Sequence, residues 1–241
     1  MYSDKKMTST INSLDTIRYD NANPLRIADE VLSILAKKPC VRRIALFGSL
    51  ADNRADSWSD IDMIVACDGV EANAWATAHA ITSAKPVLFY RKFSTREQPS
   101  GRYWFAGESP FNRLDISFIS LDEYMSYFVD PSLFGHEITL REVYASDSSS
   151  NTAIDTASKR FLEPATDYET EIGMYVYFSL EALKHYLRGK GCPDKDIPRI
   201  AGLRKAIPNL PRHSMLRNGC IGELAHQVYE MLEHLPGQTH Q

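Results

Sequence analysis

Apolar residues recur at two different spacings along this chain, and the change between them divides it. After a polar lead over residues 1–22, Asn23-Pro24 reads as an N-cap with proline at the first helical position. Ile27, Val31, Leu32 and Leu35 then repeat at helical spacing and predict a helix to about Lys37. Compact apolar runs follow: Val41 to Phe47, stopped by Gly48, and Ile61 to Cys67, both of strand type. The Ala-rich stretch Glu71 to Ser83 predicts a helix, and Pro86 to Arg91 a third strand. Leu114 to Ile119 is another strand, Leu121 to Phe128 a short helix, and Ile138 to Tyr144 a return to the sheet. Between Lys92 and Pro110 the chain is polar and bears Gly and Pro, with Arg102, Tyr103, Trp104 and Phe105 clustered. That cluster is either a β-hairpin packing its aromatics on the sheet or a substrate-facing flap.

The run Ser146 to Asn151 has the composition of a linker, and beyond it the period is helical. Ile154 to Leu162 predicts a short helix stopped by Pro164. Tyr168, Ile172, Val176, Leu180, Leu183 and Leu187 mark a long amphipathic helix that ends at Arg188-Gly189. Two more helices are expected, from Ile197 to Ile207 and from Ile221 to Leu235. This layout is an α/β domain over residues 23–146 followed by a helical bundle, a substrate or accessory domain, over residues 152–241.

Composition narrows the setting without naming a chemistry. The 241 residues are 44% hydrophobic and 24% charged, enough apolar material for a core of normal size. A net charge of −4 argues against a surface that grips a long polyanion, so a nucleic-acid partner is not expected. Cys40, Cys67, Cys192 and Cys220 are scattered without a CxxC pair, the pattern of reduced thiols rather than a disulfide framework or zinc site. The first residues lack the apolar core of a signal peptide, and no apolar stretch reaches the ~18 residues of a membrane span. A cytoplasmic setting is the expectation.

The sharpest local signal joins two predicted strands. Gly48 and Ser49 end the first, and after ten residues, Leu50 to Ser59, Asp60-Ile61-Asp62 opens the second. Gly48 can take the φ > 0 geometry that lets backbone approach a phosphate, and Ser49 adds a hydroxyl and an N–H. In a strand, residues i and i+2 share a face, so Asp60 and Asp62 project together while Ile61 and Met63 enter the core. Mg²⁺ takes oxygen ligands, commonly one or two carboxylates plus substrate phosphates. Asp115, within Arg113-Leu114-Asp115-Ile116-Ser117-Phe118-Ile119, is the candidate third carboxylate. An acid in an apolar strand needs a cation or hydrogen bond to offset burial, here either a shared metal or a neighbour such as Arg113. Alone, Gly-Ser is an ordinary strand-ending turn and Asp-x-Asp a solvated strand start. Their conjunction points to nucleotide chemistry.

The stretch Phe47 to Val65 resembles the active-site signature of the DNA polymerase β-like nucleotidyltransferases. The shared pattern is Gly-Ser, about ten residues, Asp-x-Asp between apolar flanks, and a third acid on a later strand. The Asp115 strand, followed by Ser120-Leu121-Asp122-Glu123-Tyr124, resembles the bacterial antibiotic adenylyltransferase branch, and Leu187-Arg188-Gly189 is similar to a helix end in its helical domains. The resemblance covers roughly residues 25–145. It implies an N-terminal domain with a mixed sheet flanked by helices. It also implies transfer of a nucleoside monophosphate, AMP from ATP, to a hydroxyl of a small acceptor such as an aminoglycoside-like antibiotic, with release of pyrophosphate. By the same resemblance Asp60, Asp62 and Asp115 bind two Mg²⁺ ions, Asp115 as ligand or general base, and Gly48 and Ser49 hold the triphosphate. Many small members carry Arg-Gly just after the turn, where this chain has Asp52-Asn53 and then Arg54.

Three other functions stay open. The acceptor is a protein or RNA, as in a toxin–antitoxin pair; or the chain binds a nucleotide without turnover; or Asp-x-Asp serves a metal-dependent glycosyltransferase, which needs no preceding Gly-Ser. On the long helix, Glu181, Lys184, His185 and Arg188 fall at i, i+3, i+4 and i+7. That polar stripe is either a solvated face with local ion pairs or a cleft lining that meets phosphates. His136, His213 and His226 sit at no ligand spacing and read as surface residues.

Overall fold

The computed structural model describes residues 23–93, 98–134, 138–146, 167–191, 194–212, 215–216 and 219–234. The linker beyond Ser146, the short helix expected from Ile154 to Leu162, and His136, Cys192 and His213 lie outside the described residues. Two compact units emerge: residues 23–106 with 112–146, and residues 107–111 with 167–234.

The first unit opens with α1 (Pro24–Leu35). Asn23 Oδ1 accepts from the Arg26 N–H at 3.0 Å, satisfying a donor that the helix start leaves open, and Pro24 takes the first position. Strand β1 (Val41–Phe47) runs into one helical turn, α2 (Gly48–Ala51), and the chain returns antiparallel as β2 (Ile61–Cys67). Next come α3 (Val70–Ala84), β3 (Val87–Lys92), β4 (Gly101–Phe105), β5 (Leu114–Ile119), α4 (Leu121–Val129) and β6 (Arg141–Ala145). Within this unit the six strands form a mixed sheet in the order β6-β1-β2-β5-β4-β3. Strands β2 and β5 are parallel, and the other pairs are antiparallel.

Alternation along β2 explains why its sequence is apolar without a break. Met63, Val65 and Cys67 join Ile27, Val31, Leu35, Ala74, Ala78 and Ile81 of α1 and α3 in the larger core. Ile64 and Ala66 face the other way and meet Ala45, Ile119 and Tyr124 of α4 in a smaller cluster. A strand covered on both faces needs apolar residues at every position. Asp62 and Asp115 carry the parity of the smaller cluster, at its end.

The Arg102–Phe105 cluster belongs to a hairpin, as one of its two readings had it, but β4 is also an interior strand paired with β5. Tyr103, Trp104 and Phe105 are buried, with Tyr90 and Tyr103 ring centroids 4.6 Å apart.

The second unit contains α5 (Asp167–Leu187), α6 (Ile197–Ala206), α7 (Ile221–Glu233), and two short paired strands, β7 (Met215–Leu216) and β8 (Gly219–Cys220). Helix α5 contacts both α6 and α7, and Ile172, Val176, Leu180 and Leu183 are buried as their spacing requires. Gly189 takes a left-handed conformation, and the Lys190 N–H donates to His185 O at 2.8 Å, closing the helix where Arg188-Gly189 predicts. The polar stripe differs from a solvated face: Arg188 is exposed, but Lys184 is buried with its Nζ 3.4 Å from Glu181 Oε1. His226 is half-buried rather than superficial, and Leu210 O accepts from its Nε2 at 2.7 Å. No helix among the described residues is long and apolar enough to cross a membrane.

Candidate active site

Strand register brings the acids together. Phe47 of β1 is opposite Asp62 of β2, and Asp62 is opposite Asp115 on parallel β5. Register neighbours share a face, so Asp62 and Asp115 stand side by side, with Asp60 at the mouth of β2. Ile61 and Met63 are fully buried on the opposite face, as alternation requires. One carboxylate oxygen from each of Asp60, Asp62 and Asp115 lies within 4.8 Å of the others. Asp115 is buried; Asp60 and Asp62 are half-buried.

The segment entering Asp60 is held by short polar contacts. Asp56 Oδ1 accepts from the Trp58 N–H at 3.1 Å and from the Ser59 hydroxyl at 2.8 Å, an Asx-type turn. Asn112 Nδ2 donates to the carbonyls of Ser57 at 3.0 Å and Ser59 at 2.8 Å. The Ile61 N–H donates to Arg113 O at 2.9 Å, which extends the β2–β5 pairing to the site.

Gly48 has φ +65°, and a Cβ built there would lie 2.6 Å from Asp62 Oδ2. Glycine is therefore demanded twice, by the left-handed backbone and by the carboxylate beside it. Ser49 Oγ is buried and finds no hydrogen-bond partner among the described residues. A buried hydroxyl without a protein partner is rare and costly, and a ligand oxygen would satisfy it.

Beyond the turn, the departure at Asp52-Asn53 has a structural account. Asn53 has φ +55°, a region that Asn tolerates and glycine favours, and its Oδ1 accepts from Arg141 Nη1 at 2.8 Å. Asp52 pairs with Arg54, and that hydrogen bond, with a lesser one from Thr139, holds its carboxyl below the usual range.

Two arginines complete the cluster. Arg113 Nε donates to Asp115 Oδ1 at 2.8 Å, and its Nη2 donates to Asp60 Oδ2 at 2.5 Å. Arg102, opposite Asp115 in the β4–β5 register, donates from Nε to Asp115 Oδ2 at 3.0 Å. Of the two compensations expected for Asp115, pairing with Arg113 is present, and the convergence with Asp60 and Asp62 that a shared metal requires stands beside it. Arg113 was legible as a neighbour two positions before Asp115, but the role of Arg102 depends on a register that local sequence does not encode.

The donor set, three hard carboxylate oxygens, suits a divalent ion such as Mg²⁺. With metal–oxygen distances of ~2.1 Å, ligands of one ion are roughly 3.0 Å apart when adjacent and roughly 4.2 Å when opposite. Carboxylate oxygens within 4.8 Å of one another would draw closer together to share one ion.

Residues 28–98 match the family model described as Nucleotidyltransferase domain, a span that holds Gly48, Ser49, Asp60 and Asp62 and stops short of Asp115. No curated protein matches the chain. The match concerns the domain and singles out no branch, antibiotic-modifying or other. With the acidic triad, it points to transfer of a nucleoside monophosphate from an NTP. That match supports a nucleotidyltransferase enzyme.

Proposed function

We propose that this chain transfers AMP from ATP to a hydroxyl of a small molecule, with Mg²⁺ held by Asp60, Asp62 and Asp115. One observation carries the proposal: three carboxylates converge beside a left-handed Gly48 whose neighbour Ser49 has a buried hydroxyl with no partner among the described residues. When bound, the metal supplies Lewis-acid stabilisation of the phosphoryl, attacking and departing oxygens.

The chain's own part is position and charge. Gly48 keeps the turn close to Asp62 without a clash, so phosphate oxygens and carboxylate can share one small volume. Ser49 Oγ donates to a triphosphate oxygen. Asp115, beside Asp62 in register, orients the acceptor hydroxyl for in-line attack on the α-phosphorus, as ligand or as proton acceptor. The new ester bond forms as the α–β bridging bond breaks and pyrophosphate leaves. An aminoglycoside-like antibiotic belongs among the acceptors because acids attract polycations. Arg113 and Arg102 offset part of that charge, so neutral and anionic hydroxylated metabolites belong there too.

Pyrophosphate release from purified protein, with each NTP, Mg²⁺ and such an acceptor panel, tests the proposal. The expected outcome is Mg²⁺-dependent turnover with ATP preferred. Asp60→Asn and Asp62→Asn should each fall at least ~100-fold, since several kcal/mol of transition-state stabilisation depend on the metal. Full turnover in either variant rejects the site. Label passing from the NTP into a macromolecule instead would transfer the activity to a protein or RNA acceptor.

A further inference from the structure

We infer that Arg113 is a resident cation of the triad, holding Asp60 and Asp115 in the absence of metal and yielding Asp60 when a divalent ion arrives. The inference rests on the triad being a metal site. The Arg113 side chain is 3% exposed, so close anions rather than water compensate its charge. Its guanidinium spans two carboxylates, with Nε 2.8 Å from Asp115 Oδ1 and Nη2 2.5 Å from Asp60 Oδ2. Both belong to the group whose oxygens lie within 4.8 Å of one another.

Three carboxylates at that separation repel, and a planar two-pronged cation offsets the repulsion at two of them. Metal and guanidinium then seek the same carboxylates, and each repels the other. The contact that yields is the one water can replace. Asp60's side chain is 23% exposed and Asp115's 9%, so release of Asp60 costs less. Arg102 reinforces this order, because its Nε bond to Asp115 Oδ2 at 3.0 Å holds Asp115 from the β4 side. Arg113 is thus a positioning residue: it keeps the acids assembled and weakens metal binding enough for exchange.

Calorimetric titration of the full chain with Mn²⁺, paired with Tm in EDTA and in saturating Mn²⁺, tests this in wild type, Arg113→Gln and Arg113→Lys. Competition predicts about ten-fold tighter Mn²⁺ binding in Arg113→Gln, the worth of one charged hydrogen bond. It also predicts that the variant's Tm falls further in EDTA than in metal. Arg113→Lys keeps the charge but not the fork, should fall between the two, and decides the matter if Arg113→Gln does not fold. Unchanged or weaker Mn²⁺ binding in the variants, or equal Tm loss with and without metal, overturns the inference and leaves the metal site standing. No Mn²⁺ response in wild type overturns both.

Discussion

Charge is buried in both units, but the two arrangements are assembled differently. In the sheet, Asp115 meets Arg113, Arg102 and the other acids through register across β2, β5 and β4. In the helical unit, Lys184 lies beside Glu181, three positions earlier on the same helix. The helical pair needs only one element to form. The sheet cluster joins residues more than fifty positions apart and exists only once the strands have paired, so its formation depends on loop closure and topology. Several like charges are collected there against their mutual repulsion, and offset by cations. The proposed metal would meet that charge, whereas Lys184 and Glu181 reach each other without any strand register.

Left-handed glycines give the sharpest way to break this comparison. Gly48→Ala places a Cβ against Asp62 Oδ2, so turnover should drop at least ~100-fold with ~1–2 kcal/mol of stability lost. At Gly189, φ is +72° and a Cβ meets nothing within 4 Å among the described residues. Gly189→Ala should therefore cost only the ~1–2 kcal/mol of backbone strain and leave kcat unchanged. Pyrophosphate assays and urea unfolding separate the two. Equal kcat in both variants would remove Gly48 from the site.

The next largest contrast is in stability. Asp115→Asn leaves Arg113 and Arg102 short of a buried counter-charge and should cost about 3 kcal/mol in urea unfolding. Lys184→Met should stay within ~1 kcal/mol, since a methionine of similar volume suits a buried position and Glu181, 28% exposed, is left partly to water. A larger loss at Lys184 than at Asp115 would invert the account.

What the sequence disclosed follows the same division. Strands β1, β2 and β5 lie where compact apolar runs predict them, residue for residue, and α1 begins at its expected Asn23-Pro24 start. The acids were legible because alternation is a local property of a strand. β4 was half-legible: its aromatics marked a hairpin, but Tyr103, Trp104 and Phe105 are all buried, so no alternation announced an interior strand. Helical spacing shows which residues of α5 share a face, not which face is covered: Lys184 is buried, yet it makes a local pair with Glu181 of the kind one of the two readings held. Cys40 and Cys67, distant in sequence, become neighbours through the β1–β2 register, and contact with Cys40, with burial, pushes the Cys67 thiol up.

The smallest expected effect lies away from the site. Lys85 Nζ, 2.8 Å from Glu30 Oε2, lowers the Glu30 pKa from its ordinary 4.5, with Arg26 contributing. A carboxyl whose folded pKa is depressed adds stability above its unfolded value and loses it as pH falls through the folded one. Glu30→Gln should thus cost a few tenths of a kcal/mol at pH 7, because the pair is substantially solvated. In thermal melts, that gap should close on acidification below about 4.5. A gap that persists in acid would assign the effect to packing.

Anomalous diffraction from crystals grown with Mn²⁺ and a non-hydrolysable ATP analogue tests the central claim most directly. The account predicts Mn²⁺ peaks ~2.0–2.3 Å from carboxylate oxygens of Asp60 and Asp62, with the analogue's phosphates against Ser49 and Arg113 withdrawn from Asp60. An analogue bound elsewhere, with no peak beside those carboxylates and Arg113 still on Asp60, would contradict it.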